Sequence, residues 1–158
     1  MADRMVVDAS VAAKWFLKDE LESDLDLADD LLAALLAGDI ELHAPNTLRY
    51  EMCGLLTKAC RQSVPSTGGR RLGKADALAH VRDFFALPLR FHDPDSEKEA
   101  EAVELGIDHG KSYYDMTYVR LARDLNCQCC VADEGAIKSV RSGFPHAHVL
   151  TLSQLRTT

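Results

Sequence analysis

Two aspartates each end an apolar run in this chain: Asp8 closes Met5-Val6-Val7, and Asp133 closes the stretch from Cys127 to Ala132. If both runs are neighbouring strands of a parallel sheet, their carboxylates enter one crevice at the carboxyl ends of the strands, where open α/β sheets collect ligands. Glu51 stands three residues after Leu48 and four before Leu55, which sets a carboxylate on or beside the apolar stripe of a helix. Asp115 follows Ser112 at capping-box spacing, so it falls in a first helical turn, where the helix dipole favours a negative charge. Four carboxylates gathered without bases repel one another unless a cation neutralises them, and all-oxygen ligation favours magnesium or manganese over zinc. Such a site polarises a phosphoryl oxygen and activates water for in-line attack on a phosphodiester. Each acid also has a structural reading, Asp8, Asp115 and Asp133 as helix caps and Glu51 as an edge residue whose head reaches water. Spacing alone leaves both readings open.

The elements that would position these acids follow from periodicity. Met5–Val7 reads as a strand, and a helix follows from Ser10 through Leu17. Leu25, Ala28, Leu31, Leu32 and Leu35 mark a second helix stopped by Gly38, and Ile40–Ala44 is a strand ending at Pro45. A helix opening at Asn46 or Thr47 carries Leu48, Met52, Leu55, Leu56 and Ala59 on one face. Residues 62–73 have linker composition, and a helix then runs to Ala86. Leu87–Phe91 is a brief strand, and Ser96 to Glu99 forms a capping box for a helix towards Leu105. Another helix covers Ser112 to Leu125, Cys127–Ala132 is a buried strand, Glu134–Val140 a short helix, and Ala147–Leu150 a last strand. Strands of the buried type alternating with helices predict a three-layer α/β/α sandwich around a mostly parallel central sheet.

At 158 residues the chain has the size of a single domain over 1–158, and its 47% hydrophobic and 27% charged residues exclude collagen-like and disordered classes. The net charge of −7 arises wholly between Asp19 and Asp30, which holds seven acids and no base. Elsewhere the charges balance, so an anionic partner is compatible with a local basic patch. No basic flank and long apolar stretch open the chain, which predicts a cytoplasmic protein without a membrane segment. Cys53, Cys60, Cys127, Cys129 and Cys130 lack framework spacing and read as reduced thiols, the last three as small buried side chains of a strand rather than zinc ligands.

Other motifs fail where their chemistry is tested. Gly68 to Lys74 matches Gly-x4-Gly-Lys, but Ala75 stands where a phosphate-binding loop needs Ser or Thr for magnesium, and no strand feeds it. Arg70, Arg71 and Lys74, with Arg61 nearby, read better as contacts to phosphates. Ser10 replaces the second Asp of a haloacid-dehalogenase site, no nucleophile elbow is present, and His146 and His148 read as histidines of an edge strand without a third ligand.

The blocks Val6 to Leu17, Leu48-Arg49-Tyr50-Glu51, Ser112 to Val119 with Leu121-Ala122, and Ala132-Asp133 closely resemble PIN-domain nucleases, particularly VapC-type toxins of toxin–antitoxin pairs. The resemblance spans nearly the whole chain in order. It implies an acidic quartet, Asp8, Glu51, Asp115 and Asp133, that binds Mg2+ or Mn2+ and hydrolyses RNA, with Ser10 supporting Asp8; the capping-box spacing sets Ser112 beside Asp115. It implies an antitoxin partner and a homodimer as well. Alternatives of other classes are a PIN-like binding module without activity and an RNA-processing nuclease with no antitoxin. Val131 stands where the family often has Thr or Ser, and residues 66–73 look like an enlargement of a family loop.

Overall fold

In the computed structural model, which describes residues 3–18, 23–64, 67–132, 134–136, 138 and 140–157, the first apolar run forms β1 (Asp3–Val7) and leads into α1 (Ala9–Lys14). Then come α2 (Leu25–Ala37), β2 (Ile40–Pro45), α3 (Thr47–Arg61) and α4 (Lys74–Ala86). The second half holds β3 (Arg90–His92), α5 (Ser96–His109), α6 (Tyr113–Asp124), β4 (Gln128–Val131) and β5 (Val149–Thr151). The five strands lie in the order β3-β2-β1-β4-β5, and every ladder is parallel. Right-handed crossovers carry α1–α4 over one face while the chain steps from β1 to β3. The return from β3 to β4 then lays α5 and α6 over the other face, where α6 packs on β1, β2 and β4. This is the three-layer sandwich expected. Its strand order reverses direction between β1 and β4, so the switch-point crevice lies at the carboxyl ends of those two strands.

The core explains the near-continuous apolar strands. Val6, Val7, Leu42, Ala44, Cys129 and Cys130 are fully buried, because helices cover both faces of the sheet. Trp15 donates from Nε1 to the Ala28 carbonyl at 2.8 Å, which fixes α1 against α2. Burial also pushes the Cys130 thiol up to about 12 and that of Cys129 well above its ordinary value, so both stay protonated packing groups.

Four local expectations are corrected. The helix at residue 96 is capped by Asp95, whose carboxylate accepts from the Glu97 and Lys98 amides, rather than by a Ser96 capping box. An Asp one position earlier captures the orphan amides first. The segment 62–73 is not a plain linker: Ser63 bridges Arg70 in antiparallel fashion, Val64 N donates to Gly69 O at 2.7 Å and Arg71 N to Gln62 O at 3.0 Å, so two arms of a hairpin meet. Of the helix expected over 134–140, the described residues form a 3-10 turn at Glu134–Ala136. His146 and His148 lie in a second 3-10 turn, which precedes the short β5, instead of on a strand.

Where β2 and β3 run side by side, His43 Nδ1 and His92 Nε2 share a hydrogen bond of 2.9 Å. Both imidazoles titrate below the ordinary 6.5, first because burial disfavours the charged ring. Glu41, Arg90 and the partner ring act on His43; Lys98, Arg120, Asp124 and Asp93 act on His92. A histidine whose folded-state pKa is lowered binds fewer protons folded than unfolded, so stability is full above about 6.5 and is lost as pH falls towards the lowered values. Urea unfolding at pH 7 and pH 5.5 is expected to show a smaller loss of stability for a His43→Gln/His92→Gln variant than for wild type. An equal loss in both proteins overturns this assignment.

Candidate active site

Asp8 is delivered to the crevice by backbone pairing. Its amide donates to the Cys130 carbonyl of β4 at 3.1 Å, and its extended backbone makes it the N-cap of α1. One carboxylate oxygen accepts from the Ser10 amide at 2.9 Å and from the Ser10 hydroxyl. The same hydroxyl accepts from Ala132 N at 3.0 Å, so Ser10 ties the end of β1 to the end of β4. Both readings of Asp8 therefore hold at once: it caps α1 and faces the switch point.

Glu51 projects from the first half of α3 into the same region. Its half-buried carboxylate accepts a hydrogen bond from the Tyr118 hydroxyl on α6. Tyr118 is 1% exposed, and burial, then the charges of Glu51 and Asp8, push its phenol far up, so it is a permanent donor. Tyr118 is the residue that sequence reasoning missed. It stands three after Asp115, on the buried side of α6, and that spacing was the available signal.

Asp115 occupies the first turn of α6. Ser112 is the N-cap and accepts from the Asp115 amide at 3.1 Å. Among the described residues no hydrogen bond or ion pair engages the Asp115 carboxyl, so the reciprocal half of the capping box is absent and the side chain is left for the site. Gly106 permits this approach. A Cβ there would lie 3.0 Å from the Lys111 carbonyl, immediately before the cap.

The charge of Asp115 reaches both Asp8 and Glu51, and that of Asp8 reaches Glu51. Burial raises the pKa of Asp8 most, the Ser10 hydrogen bonds oppose it, and the charge of Asp115 raises it further. Burial likewise raises Glu51, Tyr118 opposes it, and the charges of Asp8 and Asp115 add to it. No cationic side chain figures among the influences on either acid. Asp133, the fourth predicted member, lies outside the described residues, although β4, which leads to it, is paired directly with β1. Among the described residues no three metal-binding side chains are close enough to form a complete cation cage. Asp8 and Glu51 are held by Ser10 and Tyr118, and the unengaged Asp115 carboxyl stands within electrostatic range of both. The donor set is all oxygen, anionic and uncompensated, which fits a hard divalent cation.

The predicted basic residues lie elsewhere. Arg61 ends α3, Arg70 donates from Nη1 to the Arg61 carbonyl at 2.7 Å, Arg71 is in the hairpin and Lys74 opens α4. All four are exposed. Ten residues of helix separate Glu51 from Arg61, about 15 Å along the axis. Between them the outer face of α3 carries a hollow of 550 Å3 lined by Cys53, Gly54, Thr57, Lys58, Arg61 and Gln62.

The chain matches the family model of the PIN domain over residues 5–141. No curated protein matches it. Among solved structures it is similar to a protein of Pyrobaculum aerophilum at 17% identity, covering 99% of this chain and 96% of that one, with a TM-score of 0.61. The VapC20 toxin of Mycobacterium tuberculosis, which cleaves the sarcin-ricin loop, matches at 19% identity over 84% of this chain and 92% of its own, TM-score 0.60. VapBC2 from Rickettsia felis, solved with a fragment of promoter DNA, matches at 12% identity over 94% and 98%, TM-score 0.59.

Proposed function

The chain belongs to the PIN domain family, and from that premise we propose that it is a divalent-cation-dependent endoribonuclease of 1–158, the toxin of a toxin–antitoxin pair acting in the cytoplasm. The observation that carries this reading is that the charges of Asp8 and Asp115 reach Glu51, and that of Asp115 reaches Asp8, at the switch point, with no cationic side chain acting on either acid. Capping explains Asp8 but leaves the Asp115 carboxyl without a role, which weighs against a binding module whose acids are structural. Among the described residues no helix is long and apolar enough to cross a membrane.

Asp8, Glu51 and Asp115, with Asp133, would hold Mg2+ or Mn2+, which supplies neutralisation of the phosphate charge and a more acidic water. Ser10 keeps the Asp8 carboxylate oriented, and Tyr118 does the same for Glu51 while favouring its ionised form. Water attacks phosphorus in line and the bond to the leaving ribose oxygen breaks. The test is incubation of purified chain with single-stranded RNA in magnesium, in manganese and in chelator. Cleavage with either metal and none in chelator supports the reading; intact RNA in all three overturns it.

The hollow on α3 is lined at its far end by Arg61, whose carbonyl accepts from Arg70 of the hairpin. Replacing Arg70, Arg71 and Lys74 with Ala is expected to weaken RNA binding and reduce the slope of log K against log salt by about 2, at ~0.7 per phosphate contact on a single strand. An unchanged slope removes these residues from the RNA surface. The proposed protein partners are an antitoxin and a second copy of the chain. Leu36 on α2, Leu78 and Phe85 on α4, and Val103 and Ile107 on α5 are exposed apolar side chains available to such partners. Co-expression with the product of a small adjoining reading frame, followed by sizing, tests both.

A further inference from the structure

One strand spacing from the carboxylates, the ends of β2 and β3 open into a cavity of 280 Å3. Thr47 and Tyr50 line it from α3, His92 from the end of β3, Glu99 from α5, and Tyr113 and Arg120 from α6. Tyr50 immediately precedes Glu51 and Tyr113 lies two residues before Asp115, so the cavity and the acids share both helices.

Its polar groups are unusual for a packing defect. Arg120 is 3% exposed, and its Nη1 donates to Asp124 at 2.7 Å. Its Nη2 lies 3.8 Å from Glu99 Oε1, too far for a hydrogen bond, and Nε is buried with no partner among the described residues. Nε and Nη2 form one flat edge of the guanidinium, so a two-donor fork of a residue that lines the cavity is left without a hydrogen-bond partner among the described residues. Glu99 accepts from the Tyr113 hydroxyl through Oε2, leaving Oε1 beside that fork. The Thr47 hydroxyl is also buried and unbonded. Unpaired buried donors are costly, which favours a ligand that supplies acceptors.

The charge of Arg120 is already balanced by Asp124 and Glu99, so a neutral ligand suits the cavity better than an anion. It must be flat enough to lie against Tyr113 and His92, with two acceptors on one edge and donors on the next. Guanine has this pattern: O6 and N7 accept from an arginine fork, and N1–H and the exocyclic N2 group donate to a carboxylate. O6 lies between N7 and N1, as the fork of Arg120 lies beside Glu99. Adenine would turn an amino group towards the guanidinium. Resting on the ribonuclease reading, we propose that this cavity takes a guanine of the RNA and thereby sets which phosphate reaches the carboxylates.

The test has two arms. In chelator, guanosine, inosine and adenosine are titrated into the whole chain while the resonances of Tyr113 and Thr117 are followed. Guanosine is expected to shift them and to bind at least about five-fold tighter than adenosine, the lower end of one bidentate base contact. Glu99→Gln is expected to remove the advantage of guanosine over inosine, which lacks the N2 group. Arg120→Lys keeps the charge but not the fork and is expected to remove the advantage over adenosine; if it does not fold, Glu99→Gln alone decides. Equal binding of all three nucleosides, or none at these residues, overturns the proposal. In the second arm, oligonucleotides with one guanine are cleaved in magnesium. A cut placed by that guanine, and no longer placed by it in Glu99→Gln, supports the pocket, and cuts indifferent to guanine overturn it. Guanosine bound as expected with no RNA cleaved by wild type overturns the nuclease reading alone.

Discussion

Asp115→Asn is expected to lower metal-dependent RNA cleavage at least about a hundred-fold, a loss of about 2.7 kcal/mol of transition-state stabilisation. The metal-free variant is expected to be as stable as wild type or more so. The argument rests on what Asp115 does not do. Its amide is capped by Ser112, but its carboxyl makes no hydrogen bond or ion pair among the described residues, so the substitution breaks no contact of the fold. What it removes is a negative charge that raises the pKa of both Asp8 and Glu51. A purely capping Asp115 gives a different result: Asn accepts the same bonds at a helix start, so activity would survive and stability would barely move. Single-turnover cleavage of a labelled RNA, beside urea melts of both proteins in chelator, separates the two. Cleavage at the wild-type rate by Asp115→Asn would sink its assignment to the site.

How far the site could be read from residue order depends on the range of the interactions involved. Asp8 was legible because an acid ending an apolar run is a local signal, and the parallel pairing of β1 with β4 follows from strands of the buried type. Glu51 was legible as a carboxylate beside an apolar stripe. Its partner was not, because Tyr118 is 67 residues away. The three-dimensional path from α3 to α6 decides that contact, and no periodicity records it. The basic residues could be listed from the sequence but not placed: Arg61 stands ten residues after Glu51 on the same helix, which sets it about 15 Å along the axis. The cap at Asp95 was misread through competition between adjacent residues for the same backbone groups, and the bridge that closes the 62–73 loop joins Ser63 to Arg70, a pairing that no periodicity records. The cavity beside the acids was invisible for a further reason. Its donors and acceptors come from α3, β3, α5 and α6, and Arg120 reads in sequence as an ordinary charge of an amphipathic helix.

Thermal melts in magnesium or manganese are expected to exceed those in chelator, because the acids carry a penalty that a cation relieves. Asp8 and Glu51 have folded-state pKa values raised above 3.8 and 4.5, first by burial, and then by the charge of Asp115 on both and of Asp8 on Glu51. For a carboxyl raised in the folded state the sign is destabilising: the cost is absent below the ordinary pKa, develops as pH rises through the raised value, and is complete above it. The apo protein carries the whole of it at any pH above the raised values. A cation that binds only the folded chain adds RT ln(1 + [L]/Kd), about 2.7 kcal/mol at 100 times Kd. For a chain of this size that is roughly 5–11 °C in Tm, at ~2–4 °C per kcal/mol. Glu51→Gln keeps an acceptor for the Tyr118 hydroxyl and removes one charge. It is therefore expected to raise the Tm in chelator and to shrink the metal-induced increment, so the two curves approach each other from both sides. A variant whose increment equals that of wild type places the cation away from Glu51, and a wild type with the same Tm in metal and in chelator leaves these acids without the cation they are arranged to hold.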